Sequence, residues 1–277
     1  DLDGLNRVWK RRYNAWDEVM PGKMPCRLYT EMSAFQHFIT WKAGEHARKR
    51  YETIKAIDGK HPVTLHGGMP SPMLTGQYSQ GNAWPVADQA LNKGNDWFFA
   101  DFMDGIGCSS FPKWGKSAND AADFAFRVEF ISSAANGKSI WLSELQGGRA
   151  LGGNTILPSV DAVSQQRWIW NGIAAGADTI LFWCWRDEVF SKESGYFGFY
   201  GSDGLREERI AGMKHTYSVI TKYRKLVDEY EPCKPQVGVL FSPQAYYQNW
   251  SAESKAERSY NSLVGYMKAF VKQSIPF

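Results

Sequence analysis

The sequence predicts an α/β protein built on a parallel sheet, and three observations carry that reading. Short apolar runs alternate with amphipathic helical segments, the signature of βαβ units. The runs are apolar throughout instead of alternating, as in a sheet covered on both faces. Each run also ends in chemically notable residues, and parallel βα proteins gather their chemistry at the carboxyl ends of strands. Four such runs lie between residues 62 and 184, with no convincing strand before them. A barrel of eight βα units takes about 250 residues, so four units make half a barrel. An open, doubly wound sheet of four strands is the structural alternative.

In chain order, Asp3–Lys10 reads as a helix and Trp16–Pro21 as a loop. A long helix is expected from about Ser33 to Ile57, with Phe35, Phe38, Ala47, Tyr51 and Ile54 at helical spacing and Asp58-Gly59 as its stop. Phe38 and Trp41 are expected to face the core. Pro62–His66 is the first strand, ending at Gly67-Gly68, and Asp104–Cys108 is the second, ending at Ser109-Ser110-Phe111-Pro112. Ala121, Phe124, Val128, Ile131 and Ala135 mark one face of a helix closed by Asn136-Gly137. Ser139–Ser143 is the third strand. A helix follows over roughly 159–175, then the fourth strand, Asp178–Cys184. The next helix is expected to present Ile210, Met213, Tyr217 and Ile220 inward. Pro235–Phe241 reads as the strand of a new βα unit after a charged stretch. The expected organisation is a helical segment over 1–61, barrel units over 62–232 and the start of an α/β domain over 233–277. Both ends read as continuing into something longer.

Composition narrows the function. A net charge of +3 without a Lys/Arg run argues against nucleic-acid or polybasic membrane partners. No stretch approaches the roughly 18 apolar residues of a membrane span. Cys26, Cys108, Cys184 and Cys233 are far apart and form no Cys-x-x-Cys pair, so neither a metal site nor a disulfide framework is expected. Cys108 and Cys184 read as buried thiols. Aromatic residues make up 15% of the chain, with 12 tryptophans. Such rings either fill a large core or stack on the C–H faces of sugars.

Glu144 is the most specific residue. It follows an apolar strand with no turn between, so its carboxylate should sit at the mouth of the sheet. A carboxylate there needs a salt-bridge partner such as Arg186, or a chemical task. A glycosidase that retains configuration needs two carboxyl groups about 5–5.5 Å apart, one as nucleophile and one as acid/base. Glu144 fits the nucleophile.

The runs Ile140–Gly148, Gln165–Asp178 and Ile180–Arg186 resemble glycoside hydrolase family 42, the β-galactosidases of clan A. The resemblance implies a (β/α)8 barrel, of which this chain supplies strands 5–8, followed by the start of the family's second α/β domain. It maps the nucleophile onto Glu144, the Trp-Arg pair ending strand 8 onto Trp185 and Arg186, and a galactose-contacting glutamate onto Glu193. Phe111 and His66 fall at further substrate-facing positions. Phe111 replaces a tyrosine whose hydroxyl touches the nucleophile in the family, His66 stands where asparagine is common, and Gly152 replaces a tryptophan. The family's acid/base glutamate lies in an Asn-Glu pair ending strand 4, and this chain contains no such dipeptide. The implied activity is hydrolysis of terminal β-galactosides with retention, without an organic cofactor or metal. The implied partners are a galactoside or oligosaccharide substrate and further copies of the protein, a trimer by the family's habit. A related glycosidase acting on α-L-arabinopyranosides or β-fucosides is the nearest rival, and a non-catalytic carbohydrate-binding barrel is another. A phosphate-binding doubly wound protein lacks its Gly-x-Gly-x-x-Gly fingerprint here.

Overall fold

A computed structural model describes residues 1–20, 28–73, 90–91, 94–114, 121–152, 155–190, 193–253 and 256–277. Its centre is a parallel four-stranded sheet in the order β1 (Thr64–His66), β2 (Gly105–Ser110), β3 (Ser139–Gln146), β6 (Thr179–Trp183). All three pairings are parallel and consecutive. The four expected strands are therefore present as neighbours. The connections are helical: α3 (Asp96–Phe102) precedes β2, α4 (Ala121–Ala135) leads to β3, and α5 (Ala162–Ala174) leads to β6. A two-residue hairpin, β4 (Leu151–Gly152) with β5 (Thr155–Ile156), interrupts the β3–α5 connection.

One face of the sheet meets the helices. Ile106, Cys108, Ile140, Leu142 and Leu145 form the main core with Phe124, Val128, Ile131 and Trp168, and Ile180 and Phe182 pack against it. Removing this much apolar surface from water is the principal stabilising term. Cys108 is fully buried, and burial pushes its thiol up to about 12. Cys184 departs from expectation, being only half-buried just past β6, where its Sγ–H donates to the Arg186 carbonyl at 2.9 Å. Cys26 lies outside the described residues.

Two helices turn differently from the expected faces. In α2 (Tyr29–Ile57) the buried ridge is Met32, Gln36, Thr40, Gly44 and Ala47. Phe38 and Trp41 lie off that ridge and are about half exposed, their rings 6.0 Å apart. In α6 (Arg206–Lys222) the buried positions are Arg209 and Thr216, whereas Tyr217 faces solvent. The Arg209–Gly212–Thr216 ridge is the one laid against α5, where Gln166 Nε2 donates to the Gly212 carbonyl.

Pro235–Phe241 is not a strand among the described residues. Its alternation is used for packing instead: Val239 and Phe241 join a second core with Trp97, Phe130, Tyr246, Trp250 and Leu263. That core joins α8 (Pro243–Glu253) and α9 (Glu257–Lys272) to α2 and α4. An extended segment becomes a strand only beside another backbone, and here Gln236 N–H bonds to the Pro276 carbonyl of the C-terminal turn.

Candidate active site

Glu144 reaches the open face of the sheet because β3 is bulged. Strand alternation would place residues 140, 142 and 144 on one face. Ile140 and Leu142 face the helices, and so does Leu145, with opposite parity. The register shows why. Cys108 pairs with Leu142 but Ser109 pairs with Glu144, and on the other side Leu142 pairs with Ile180 but Leu145 with Phe182. One extra residue in β3 at Ser143–Glu144 turns Glu144 out of the core, the usual effect of a bulge beside a functional group. Without it, the carboxylate would be driven into an apolar layer at a large cost. The strand therefore runs on to Gln146, past the expected end at Ser143.

On that open face Ser109 Oγ donates to Glu144 Oε2 at 2.7 Å. His66, at the end of β1, places Nε2 against the same Ser109 hydroxyl and 3.6 Å from Glu144 Oε2. Three adjacent strands thus each contribute one side chain to a line His66–Ser109–Glu144. The side chains of His66 and Glu144 keep 28% and 29% of their surface open to solvent. No ion pair joins Arg186 to Glu144 among the described residues; Arg186 is exposed and its backbone bridges to Tyr200.

The loop after β6 folds back over the end of β3. Gly147 N–H donates to the Trp183 carbonyl, Cys184 N–H to Phe197, Phe199 N–H to Cys184, and Phe197 N–H to Arg149. Backbones come so close that a Cβ at Gly148 would lie 2.2 Å from the Gly198 carbonyl oxygen. The Gly147-Gly148 pair that follows the strand is thus required by packing. Asp187 is occupied as a clamp, accepting from Gly198 N–H, Ser202 N–H and Ser202 Oγ–H at 2.9 Å each. Arg209 is fully buried beneath the loop. It donates to the carbonyls of Phe199, Val160 and Gly198 and to both oxygens of Asp203.

Of the remaining expected site residues, Trp185 is exposed and stacks at 6.0 Å on Phe199 and 6.2 Å on Tyr200. Phe111 is 9% exposed, its ring enclosed by Trp114 and Phe197. Glu193 lies in the folded-back loop. Its negative charge, with those of Asp187 and Glu188, adds to burial in raising the Cys184 thiol.

Sequence reasoning missed two residues. In the sequence, Ser109 shows only that it follows a strand. Trp183 is the second: Ile180 and Phe182 face the core, so Leu181 and Trp183 face the Glu144 side. Trp183 is 38% exposed beside Glu144's strand. The alternation in Thr179–Trp183 was the available signal. A groove lined by Leu240, Phe241, Tyr246, Ser259, Leu263 and Phe270 contains none of these groups. Glu144 lies on the open sheet face instead.

The family model for glycoside hydrolase family 42, β-galactosidase, matches residues 4–223. The chain belongs to that family. A curated relative, β-galactosidase Bga of Halorubrum lacusprofundi, is 24% identical over 227 residues, covering 78% of this chain and 31% of its own. Among solved structures, a catalytic mutant of Gan42B, a GH42 β-galactosidase from G. stearothermophilus, aligns with a TM-score of 0.73 at 18% identity, over 100% of this chain and 40% of that one. The β-galactosidase from Bacillus circulans sp. alkalophilus aligns with a TM-score of 0.74 at 14% identity, over 98% of this chain and 39% of that one. These structures give the fold: the parallel four-stranded sheet and its helices are part of a (β/α)8 barrel. The chain spans 31% to 40% of the length of these relatives.

Proposed function

We propose that this chain carries the nucleophile side of the active site of a retaining β-galactosidase, with Glu144 as nucleophile. The observation that carries the reading is the bulge that delivers Glu144 to the open sheet face, hydrogen-bonded and beside a tryptophan, in a family 42 chain. A carboxylate held in this way can attack an anomeric carbon while a second carboxyl group protonates the departing oxygen. By the family resemblance, that second group is assigned to the Asn-Glu pair ending the family's fourth strand; Asp187 is engaged by three hydrogen bonds. Trp183 and Trp185 are proposed as sugar platforms, and Glu193 as a partner of the galactose hydroxyls. Phe111, with its ring enclosed, supports the site from behind. Naming galactose as the sugar rests on the relatives' described activity.

The test is covalent labelling of the full-length enzyme with a 2-fluoro-galactosyl inactivator. Glu144 is the expected site of attachment, and Glu144→Gln should lower kcat by several orders of magnitude with the fold unchanged. Labelling of Glu188 or Glu193 instead would reject the assignment. Faster turnover of an α-L-arabinopyranoside or β-fucoside than of the galactoside would correct the sugar and leave the nucleophile in place.

A further inference from the structure

The direction of the hydrogen bonds in the His66–Ser109–Glu144 line follows from counting protons. An ionised carboxylate only accepts, so the single Ser109 hydroxyl proton points to Glu144 Oε2. The Ser109 oxygen must then accept from His66, which fixes the proton of a neutral imidazole on Nε2. The line is a one-way chain of donors, His66 Nε2–H to Ser109 Oγ–H to Glu144. Ser109 is 5% exposed, so the chain is shielded from competing water at its middle member. Phe111, two residues on, has no hydroxyl and its ring is enclosed by Trp114 and Phe197.

We propose that Ser109, held by His66, is a positioning residue that makes the Glu144 carboxylate a good leaving group in the second half of the reaction. This rests on the reading of Glu144 as nucleophile. In that half-reaction a glycosyl ester joins Glu144 to the anomeric carbon. Water adds its oxygen to that carbon and gives a proton to the second carboxyl group. The bond to Glu144 breaks, and its electron pair returns to the side chain as carboxylate. Whichever oxygen carried the sugar, the ester is neutral and a weaker acceptor than the carboxylate. A donor aimed at Glu144 is therefore worth more after bond cleavage than before, and it lowers the barrier to release. In the first half-reaction the same donor stabilises the attacking anion, so losing it does not slow the attack through charge.

The experiment uses a 2,4-dinitrophenyl β-galactoside, whose departure needs no proton, so that kcat reports ester hydrolysis. In the full-length enzyme, Ser109→Ala should lower kcat about ten-fold or more, the range for a hydrogen bond to a charged group. KM should fall with it, leaving kcat/KM within about three-fold, and the variant should show a burst of about one dinitrophenolate per site. Ser109→Thr, which keeps the hydroxyl, should restore kcat, and His66→Phe should reproduce part of the Ser109→Ala effect. Equal loss of kcat and kcat/KM without a burst, or no change in either, would overturn the proposal while Glu144 labelling still held. Labelling elsewhere would instead remove the reading beneath it. Failure of Ser109→Thr to restore turnover in a folded protein would also count against the hydroxyl's role.

Discussion

Glu144 and Asp96 are acidic residues in very different settings. Glu144 stands at the edge of solvent with a hydroxyl donor supplied from the neighbouring strand. Asp96 is buried at the start of α3, accepting from Ser71 N–H at 2.7 Å while its own N–H donates to Ser71 Oγ at 3.1 Å. Burial pushes the Asp96 carboxyl up to about 6, against the lowering effect of the Ser71 hydrogen bonds. Because the folded protein holds this proton more tightly than the unfolded chain does, the contribution is full below about pH 4. It is lost as pH rises through about 6. Asp96→Asn removes the ionisation while keeping the shape. Measured by denaturant unfolding, the variant should gain on the wild type by about 1 kcal/mol between about pH 5 and pH 8. An unchanged difference between the two conditions would mean that Asp96 titrates as an ordinary surface carboxylate. Residues of this kind were not legible beforehand: nothing in Asn95-Asp96 tells that Ser71 will close over it. Glu144 was legible, because an acid directly after an apolar run has few structural explanations. Ser109 was not, because its partner is set by cross-strand register, which the sequence does not display.

At the scale of elements, all four barrel strands and helices α2, α4, α5 and α6 were legible from apolar spacing, whereas α8 and α9 were not. The failures have physical causes. Helix α3 is only seven residues long, too short for periodicity to show, although Asn95 caps it by accepting from Trp97 N–H at 3.0 Å. Periodicity points Phe38, Trp41 and Tyr217 inward, but which ridge of a helix is buried depends on its neighbour. Residues 235–241 have strand-like alternation without a strand beside them among the described residues. The bulge in β3 left a trace that periodicity can read, the parity change from Ile140 and Leu142 to Leu145. The site's outer wall is the loop after β6, described over 184–190 and 193–200, and Arg209 of α6 is its anchor. All five of its N–H donors are used, and burial, which alone would raise the Asp203 carboxyl, is outweighed by pairing with Arg209, so that Asp203 lies below its ordinary range. Arg209→Met would leave Asp203 and three carbonyls without their donor, a loss of about 3–5 kcal/mol for a broken buried pair. Arg209→Lys offers three donors without the planar fork and should recover only part of this. Denaturant midpoints of the two variants would check it; a change below about 1 kcal/mol in Arg209→Met would show that the loop is held by its backbone contacts alone.

For the molecule as a whole, the decisive feature is a sheet with two outer edges. Neither β1 nor β6 has a second strand beside it among the described residues. The face around Glu144 exposes Leu181 and Trp183, and Trp185, Val189 and Phe190 stand out from the adjoining loop. Unpaired strand edges and an apolar face favour association with other chains. A general acid typically contributes about 10²–10⁴-fold to such a reaction, and the proposed acid does not come from this chain. A site open to water also weakens the electrostatic interactions that a closed site would concentrate. Residues 1–277 expressed alone should therefore hydrolyse no aryl β-galactoside above background and should self-associate. The measurements are turnover of a nitrophenyl β-galactoside, with Glu144→Gln as the control, and light scattering of the same sample. A soluble inactive monomer would show that the exposed edges are protected within the chain, and would leave the catalytic account standing. A monomer with Glu144-dependent turnover would overturn that account. It would mean that a carboxyl group of this chain, Glu188 or Glu193 on the loop that folds over β3, supplies the proton, and that four strands are enough to build the site.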